Sequence, residues 1–340
     1  MNTRKTYSIF VFLSVVLVAM FFVNLAMGSL SIPVSEVFSV LFQGEASKPS
    51  WEYIVLGFRF PKAIVAILTG ISLPIAGMLM QSLFRNPMAE PYVLGLSSGA
   101  SLGVALVVLG AGFLPFGIQQ YATSPYSLVL ASVGGSFMVL SAVLIAINKV
   151  KSTATLLIIG LMFSSFSGAL VGVLSYFSTS EDLKKFTFWA MGSLSNHSWQ
   201  DILILFVATL TGIIICLFLT KSMNTLMLGE SYGQTMGVNI KKTRYRIVIA
   251  TGILTGSVTA FVGPIAFIGL AVPHISRIVF KTSNHFVLFF ANMLIGAIVL
   301  LISDILSQIP GTSTVLPINA VTSIIGAPIV ISMLLKQKNV

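Results

Sequence analysis

The stretch Ile247–Phe280, IVIATGILTGSVTAFVGPIAFIGLAVPHISRIVF, decides the fold class of this chain. A membrane-spanning helix needs about 20 predominantly apolar residues, so these roughly 34 residues are too many for one crossing. Gly263-Pro264, at the centre of the stretch, is a strong helix breaker. The stretch therefore predicts two adjacent membrane helices, Ile247–Val262 and Pro264–Phe280.

The rest of the chain has the same character. Of its 340 residues, 56% are hydrophobic and only 8% are charged, whereas soluble proteins carry about 25% charged residues. A chain so poor in charge cannot cover its surface with solvated groups, so that surface must face lipid. No change in composition marks a soluble domain. We therefore expect residues 1–340 to form a single all-α transmembrane domain.

Ten apolar runs predict about ten transmembrane helices. They lie at Ser8–Gly28, Ala63–Leu83, Val93–Gly112, Leu128–Asn148, Thr153–Phe177, Ile202–Thr220, Ile247–Val262, Pro264–Phe280, Phe286–Ser307 and Val315–Leu335. The first run follows Arg4 and Lys5 and has the outline of a signal peptide. It is longer than the roughly 7–15 apolar residues of a signal sequence, so we interpret it as the first membrane helix.

The basic residues predict how these helices are oriented. If the N-terminus is cytoplasmic, the cytoplasmic loops hold most of the 19 basic residues and the outer loops hold most of the nine acidic ones. The inner basic set is Arg4, Lys5, Arg85, Lys149, Lys151, Lys221, Lys241, Lys242, Arg244, Arg246, Arg277, Lys281, Lys336 and Lys338. Under the positive-inside rule, both termini are then cytoplasmic. The same rule explains the net charge of +10 without a nucleic-acid partner.

Two loops are long enough to hold short helices. Residues 178–198, on the outer side, place acidic residues before basic ones, which suits a helix dipole, and continue with aromatic residues that suit the membrane interface. Residues 222–246 form the longest cytoplasmic loop. It predicts one or two helices, Thr225–Met236 and Ile240–Arg246, broken at Gly237.

Helices two to five and seven to ten form two groups of four. The predicted orientation places helix two running inward and helix seven running outward, as an inverted repeat requires. The two groups share no convincing sequence identity, so this prediction depends on topology alone.

The motifs of common membrane enzymes and nucleotide-binding proteins are missing. No G-x-x-x-x-G-K-[ST], H-E-x-x-H or D-D-x-x-D pattern occurs, so no catalytic residue, metal ligand or cofactor is predicted. The one clear acid within a helix is Asp304, near the outer end of helix nine. A single acid there makes a poor ion relay, and we interpret it as solvated or locally hydrogen-bonded.

Five segments carry a recognisable pattern. They are Arg59-Phe60-Pro61-Lys62; Gln81–Pro91 continuing into Leu94–Gly103; Thr187–Leu194; Leu228-Gly229-Glu230 with Gly237-Val238; and Gly263–Arg277. In this order and spacing, from about Ser29 to Lys336, they resemble the FecCD permease family. Its members are the membrane subunits of ATP-binding cassette (ABC) importers for ferric siderophores, haem and vitamin B12.

The resemblance implies two cytoplasmic elements. Residues at 228–238 resemble the coupling helix that docks in a groove of the ATPase: Leu228, Gly229, Glu230, Gly233, Gly237 and Val238. Asn86 and Met88 occupy the position of a cytoplasmic gate, and Thr153-Ala154 resembles a second gate segment. A solvated loop and an ordinary structured turn are the respective alternatives.

On the outer side the family has an R-x-P-R pattern whose basic residues pair with acids of a substrate-binding protein. Arg59 and Lys62 occupy these positions, with lysine replacing the second arginine. Lysine keeps the charge and loses the bidentate geometry. The alternative is that both side chains are anchors at the membrane interface.

The resemblance also implies the assembly. Two permease subunits of the type II importer architecture, identical or paralogous, pair around a path lined by helices five and ten in a bacterial inner membrane. Two ABC ATPases supply the energy, and a periplasmic or lipid-anchored binding protein delivers the cargo. We expect a ferric siderophore, with haem and vitamin B12 open.

Three other classes of membrane protein remain alternatives. An ion-coupled secondary transporter would need intramembrane ionisable groups, a membrane enzyme would need clustered catalytic groups, and a channel would need a filter. The sequence shows none of these features.

Overall fold

The structure, a computed structural model, describes residues 3–113, 124–150, 152–308 and 314–337. Lys151 and Lys338 of the inner basic set lie outside these residues. The α-helices are α1 (Thr3–Ala26), α2 (Val34–Phe42), α3 (Pro49–Ile54), α4 (Phe60–Phe84), α5 (Leu96–Val108), α6 (Pro125–Lys149), α7 (Thr153–Phe177), α8 (Ser180–Ala190), α9 (Trp199–Met227), α10 (Glu230–Thr235), α11 (Ile240–Val262), α12 (Ile268–Phe280), α13 (His285–Ser307) and α14 (Ile318–Gln337). A π-helical turn, Val55–Arg59, joins α3 to α4.

Every predicted apolar run contains a helix, but the helices differ in length. Seven are long and apolar enough to cross a membrane: α1, α3 with α4, α6, α7, α9, α11 and α13. The shorter apolar helices are α5, α12 and the described part of α14. With 13 residues each, α5 and α12 extend about 20 Å, against about 30 Å of hydrocarbon. Ten full-length crossings are therefore not confirmed.

The chain before α5 and before α12 is irregular, which explains why these helices begin later than predicted. Gly95 and Phe267, the residues preceding them, have φ angles of 79° and 67°, outside the range of a right-handed helix. Before Gly95 lies the short 3-10 turn Pro91–Leu94. Before Phe267 lies the Gly263-Pro264 break.

The irregular backbone before α12 is hydrogen-bonded by side chains. Three consecutive N–H groups donate: Ile265 to the Tyr92 hydroxyl and Ala266 to the Asn319 side-chain oxygen, both at 3.0 Å, and Phe267 to the Glu90 carboxylate. A backbone polar group without a partner in hydrocarbon costs several kcal/mol. Two acceptors lie near residue 90 and the third lies near residue 319. They therefore hold the break in contact with both of these distant parts of the chain. Glu90 lies in the loop after α4, as predicted, and its side chain reaches this turn.

Glycines let the helices approach until backbones touch. A Cβ added at Gly70 of α4 would overlap the carbonyl oxygen of Gly296 in α13, and a Cβ at Gly296 would overlap that of Gly70. A Cβ added at Gly77 of α4 would likewise overlap the carbonyl oxygen of Gly269 in α12. Such contacts stabilise helix pairs in lipid, where apolar burial gives no net driving force between helices. They place α4 at the centre of the packing.

The two predicted halves share local features. Gly160 of α7 packs against the backbone of Val93, in the turn before α5. Gly326 of α14 packs against Phe267, in the turn before α12. Together with the equal lengths of α5 and α12, this correspondence favours the predicted inverted repeat.

A buried ion pair joins three helices at the predicted outer end. Lys62 Nζ of α4 lies 2.9 Å from Asp304 Oδ1 of α13, and these side chains are only 12% and 3% exposed. The other carboxylate oxygen of Asp304 accepts a hydrogen bond from Asn24 of α1 at 2.8 Å. Gln308 donates to the same oxygen at 3.3 Å. Asp304 is therefore neither solvated nor only locally bonded, in contrast to the interpretation from the sequence.

Arg59 closes the adjacent end of α1. Its guanidinium donates to the carbonyl oxygens of Leu25 and Ala26, both at 2.8 Å, and to that of Leu30. The last carbonyls of a helix lack hydrogen-bond partners within the helix and carry partial negative charge. A buried cation at this end therefore supplies the missing donors and a compensating charge. The π-helical turn that ends at Arg59 brings the side chain to this position.

The ion pair predicts an asymmetric response to mutation. Asp304→Ala should destabilise the chain by about 3–5 kcal/mol, because it leaves the Lys62 charge buried without a partner. The double variant Lys62→Met with Asp304→Leu should be close to wild type, since it removes both charges. Thermal unfolding of the detergent-solubilised protein would measure these effects.

Glu45→Ala is the matched control, because Glu45 is an exposed acid at the same predicted end. An Asp304→Ala variant no less stable than this control would show that the Lys62–Asp304 pair is solvated.

Candidate functional site

The two cations predicted to dock a binding protein both have partners inside the chain. Arg59 is 8% exposed and binds the end of α1. Lys62 is paired with Asp304. Docking through these residues therefore requires that their internal bonds be exchanged for bonds to the partner. It stays a hypothesis, and the structure adds to it a role for both residues in holding α1, α4 and α13 together.

The predicted coupling segment has a different helical organisation from the expected one. Thr225–Met236 is not one helix, because α9 continues to Met227 and a separate short helix, α10, begins at Glu230. Ile240–Arg246 is not separate either, since it is the first part of α11. The chain breaks at Gly229, where φ is 118°, as well as at the predicted Gly237, where φ is 80°.

The glycines define the shape of α10. Their positive φ angles are accessible to glycine at little cost, and they turn the chain sharply before and after the helix. Gly233 lies on the buried side of α10, and its N–H donates to the Gly229 carbonyl at 2.9 Å. Val238 N–H returns to the Gly233 carbonyl at 2.9 Å. The predicted coupling residues thus lie together in one compact turn-helix-turn unit.

The exposed face of this turn-helix-turn unit is apolar. The large side chains there are Leu228, Tyr232 and Met236, which are 68%, 48% and 62% exposed. A soluble face would be expected to carry polar groups, and contiguous exposed apolar side chains are typical of interaction sites. The unit is therefore suited to bind a protein partner.

An ion pair attaches the start of α10 to α11. Arg244 Nη2 lies 2.7 Å from Glu230 Oε1, with side-chain exposures of 10% and 38%. In the sequence Arg244 is only one of the inner basic residues, and an arginine 14 positions after an acid gives no local signal of pairing. Beside the pair lies a groove of about 780 Å³, lined by the start of α11 and by Ile147–Val150 at the end of α6.

One predicted gate segment lies in the turn after α4, and the other lies at the start of α7. The Asn86 side-chain oxygen accepts a hydrogen bond from Met88 N–H at 2.9 Å, which makes a tight turn directly after α4. Thr153 and Ala154 form the first turn of α7, and Ala154 is exposed. Gly160 of α7 contacts the backbone of Val93. The helix that begins with Thr153-Ala154 is therefore packed against the turn that follows Asn86 and Met88.

α7 has little protein around it. Within its 25 residues only Leu156, Gly160 and Ser167 are buried. Gly168 and Gly172, four residues apart, are so open that a methyl group added at either would have no neighbouring atom within 4 Å. Small residues at this spacing are typical of faces where membrane helices pack. This face is therefore available to another chain.

Known proteins are similar to this chain in sequence and in fold. The hemin transport system permease protein HmuU of Yersinia pestis is 32% identical over 96% of this chain and 95% of its own. The vitamin B12 import system permease protein BtuC of Salmonella arizonae is 37% identical over 84% of each chain. A solved structure of an inward-facing ABC transporter of metal-chelate type superposes with a TM-score of 0.84, at 29% identity, over 97% of this chain and 99% of that one.

The match to the family extends over nearly the whole chain. Residues 16–336 match the FecCD transport family, and they contain α10, the two predicted gate segments and the exposed α7. The relatives are permease subunits of ABC importers for metal chelates, haem or vitamin B12. The chain belongs to the FecCD transport family.

Proposed function

We propose that this chain is the permease subunit that carries a ferric siderophore into the cytoplasm, driven by two separate ABC ATPases. The exposed apolar face of α10 is the observation that carries the proposal, because a short helix with buried glycine and exposed Leu228, Tyr232 and Met236 is suited to bind in a groove of a partner. Haem and vitamin B12 are the alternative cargoes, and they are the cargoes named for the relatives HmuU and BtuC.

The mechanism we propose is alternating access without covalent chemistry. Closure of the ATPases on ATP displaces α10, and the displacement passes through the Glu230–Arg244 pair to α11, which is continuous from that pair to the break at Gly263. Two copies of the permease, or this chain and a paralogue, pair through the exposed face of α7. Asn86, Met88, Thr153 and Ala154 close the path at the cytoplasmic side, and a binding protein delivers the cargo from outside.

The proposal includes ten crossings in a bacterial inner membrane. The two 13-residue helices, α5 and α12, complete their crossings with the irregular segments before them. Irregular backbone is tolerated at membrane depth where it is buried in protein. The side-chain acceptors of the turn before α12 support this arrangement.

The Glu230–Arg244 pair allows a direct test of coupling. In the complex with its ATPases, Glu230→Arg should lower ligand-stimulated ATP hydrolysis, because two arginines repel each other and release α10 from α11. The charge swap, Glu230→Arg with Arg244→Glu, should restore part of the stimulation. Lys221→Glu, which reverses an exposed charge at the end of α9, is the matched control and should leave stimulation intact.

Unchanged stimulation in Glu230→Arg would remove this segment from coupling. A charge swap as defective as the single variant would show that Glu230 acts by direct contact with the ATPase rather than through Arg244.

The orientation is open to labelling with an impermeant thiol reagent. Cys216, the one cysteine of the sequence, is first replaced by alanine. In this variant, Glu45→Cys should react in intact cells, and Ser231→Cys should react only after the membrane is opened. Both positions are exposed, so access depends on the side of the membrane alone. Glu45 is preferable to Ser47, whose backbone N–H and hydroxyl bond the Glu36 carboxylate. Reaction of both cysteines from one side would overturn the topology.

A further inference from the structure

A small cavity lies where four helix ends meet on the predicted cytoplasmic side. The ends of α4, α9 and α12 and the start of α13 surround a volume of about 270 Å³. A water molecule occupies about 30 Å³ in the liquid, so the cavity has room for a group of phosphate size. Since all four ends belong to the same predicted face of the membrane, the cavity lies at the depth of lipid headgroups.

The charged groups of the cavity are all basic. Arg85 and Arg277 line it, no acidic residue is among its lining, and His285 adds an uncharged polar side chain. Within the described parts of the chain, neither arginine forms an ion pair with a carboxylate. Arg277 is partly buried and donates one hydrogen bond, from Nη1 to the Gln81 side-chain oxygen at 2.7 Å. A guanidinium has five N–H donors, so most of its capacity is left for a ligand.

The side chain of His285 is held in place on one side of the cavity. Its Nε2 lies 2.6 Å from the Ser82 hydroxyl, and its Nδ1 lies 2.8 Å from the Asn224 side-chain oxygen. The backbone N–H of His285 donates to the same Asn224 oxygen at 2.8 Å. With both ring nitrogens engaged by the protein, the imidazole holds α4, α9 and α13 together around the cavity. The two arginines are the groups left to bind an anion.

The remaining wall is apolar and open at the edge. Met223 and Leu226 are buried, at 1% and 9% exposure, whereas Met227 is 53% exposed. A site for a free inorganic ion would be expected to be polar all round. A site for a lipid needs a cationic end for the phosphate and an apolar edge for the glycerol and the start of the acyl chains. The cavity has this second arrangement.

We propose that the cavity binds the phosphate group of an anionic phospholipid from the cytoplasmic leaflet. Arginine matches phosphate oxygens with paired N–H groups, and basic pockets between membrane helices on the cytoplasmic side are suited to anionic headgroups. Free phosphate offers the same oxygens without the apolar part. The proposal depends only on the membrane placement of the chain and not on its cargo or its ATPases.

Lipid titration of the delipidated full-length protein, followed by native mass spectrometry, tests the site. Wild type should bind one phosphatidylglycerol more tightly than phosphatidylcholine. Arg85→Gln and Arg277→Gln should each weaken phosphatidylglycerol binding about fivefold and leave phosphatidylcholine binding unchanged. Arg277→Lys should recover part of the loss. Arg246→Gln removes the same charge from an exposed position outside the cavity and should have no effect.

Arg85 is exposed, so its variant keeps the test valid even if Arg277→Gln disturbs folding through Gln81. Equal phosphatidylglycerol affinity in wild type and Arg85→Gln would overturn the proposal, as would an equal loss in Arg246→Gln. A parallel titration with inorganic phosphate separates the two sources. Arginine-dependent binding of phosphate without binding of phosphatidylglycerol would overturn the lipid assignment.

Discussion

The absence of water inside a bilayer is the constraint on which this structure depends. Each backbone group there must find its partner within the protein, and this chain has irregular backbone before α5 and before α12 and ends α1 against buried side chains. The turn before α12 meets the constraint with Tyr92, Asn319 and Glu90 as acceptors. The end of α1 meets it with the buried guanidinium of Arg59. The close glycine contacts of α4 then bring these elements near enough for such bonds to form.

The predicted outer and inner faces of the membrane domain are held together differently. At the predicted outer end, buried charges tie helices together, with Asp304 bonded to Lys62 and Asn24. At the predicted inner end, α10 projects with an exposed apolar face and is attached to α11 through the half-exposed Glu230. In the mechanism we propose, a force applied by an ATPase reaches α10 at the inner face, while the buried charges hold the helices together at the outer face.

The sequence predicted the helical class and the position of each apolar run, because hydrophobicity and helix breakers are local signals. Gly263-Pro264 separated α11 from α12 as expected. Local signals did not show that Gly95 and Phe267 would delay the starts of α5 and α12, since a residue such as phenylalanine adopts a positive φ only when tertiary contacts impose it. Nor did they show that the side chain of Glu90, in the loop after α4, would accept a hydrogen bond from the turn before α12.

The candidate site was predicted in part. Leu228–Val238 form one unit around α10, as the family resemblance implied, but no local signal distinguished Gly229 as the break that separates α10 from α9. The partner of Lys62 could have been suspected from a lone acid in an apolar helix, because buried charges are paired. Its identity required the fold, since residues 62 and 304 are brought together only by the packing of α4 on α13.

ATP-driven uptake is the most direct test of the central claim that this chain is an importer permease. The full complex, reconstituted in proteoliposomes with ATP on the ATPase side and loaded binding protein on the other, would be offered a labelled ferric siderophore, haem or vitamin B12. The account predicts accumulation of one of these chelates that requires ATP hydrolysis and stops when ADP replaces ATP. Uptake that persists with ADP and follows an imposed ion gradient instead would contradict it and indicate a secondary transporter.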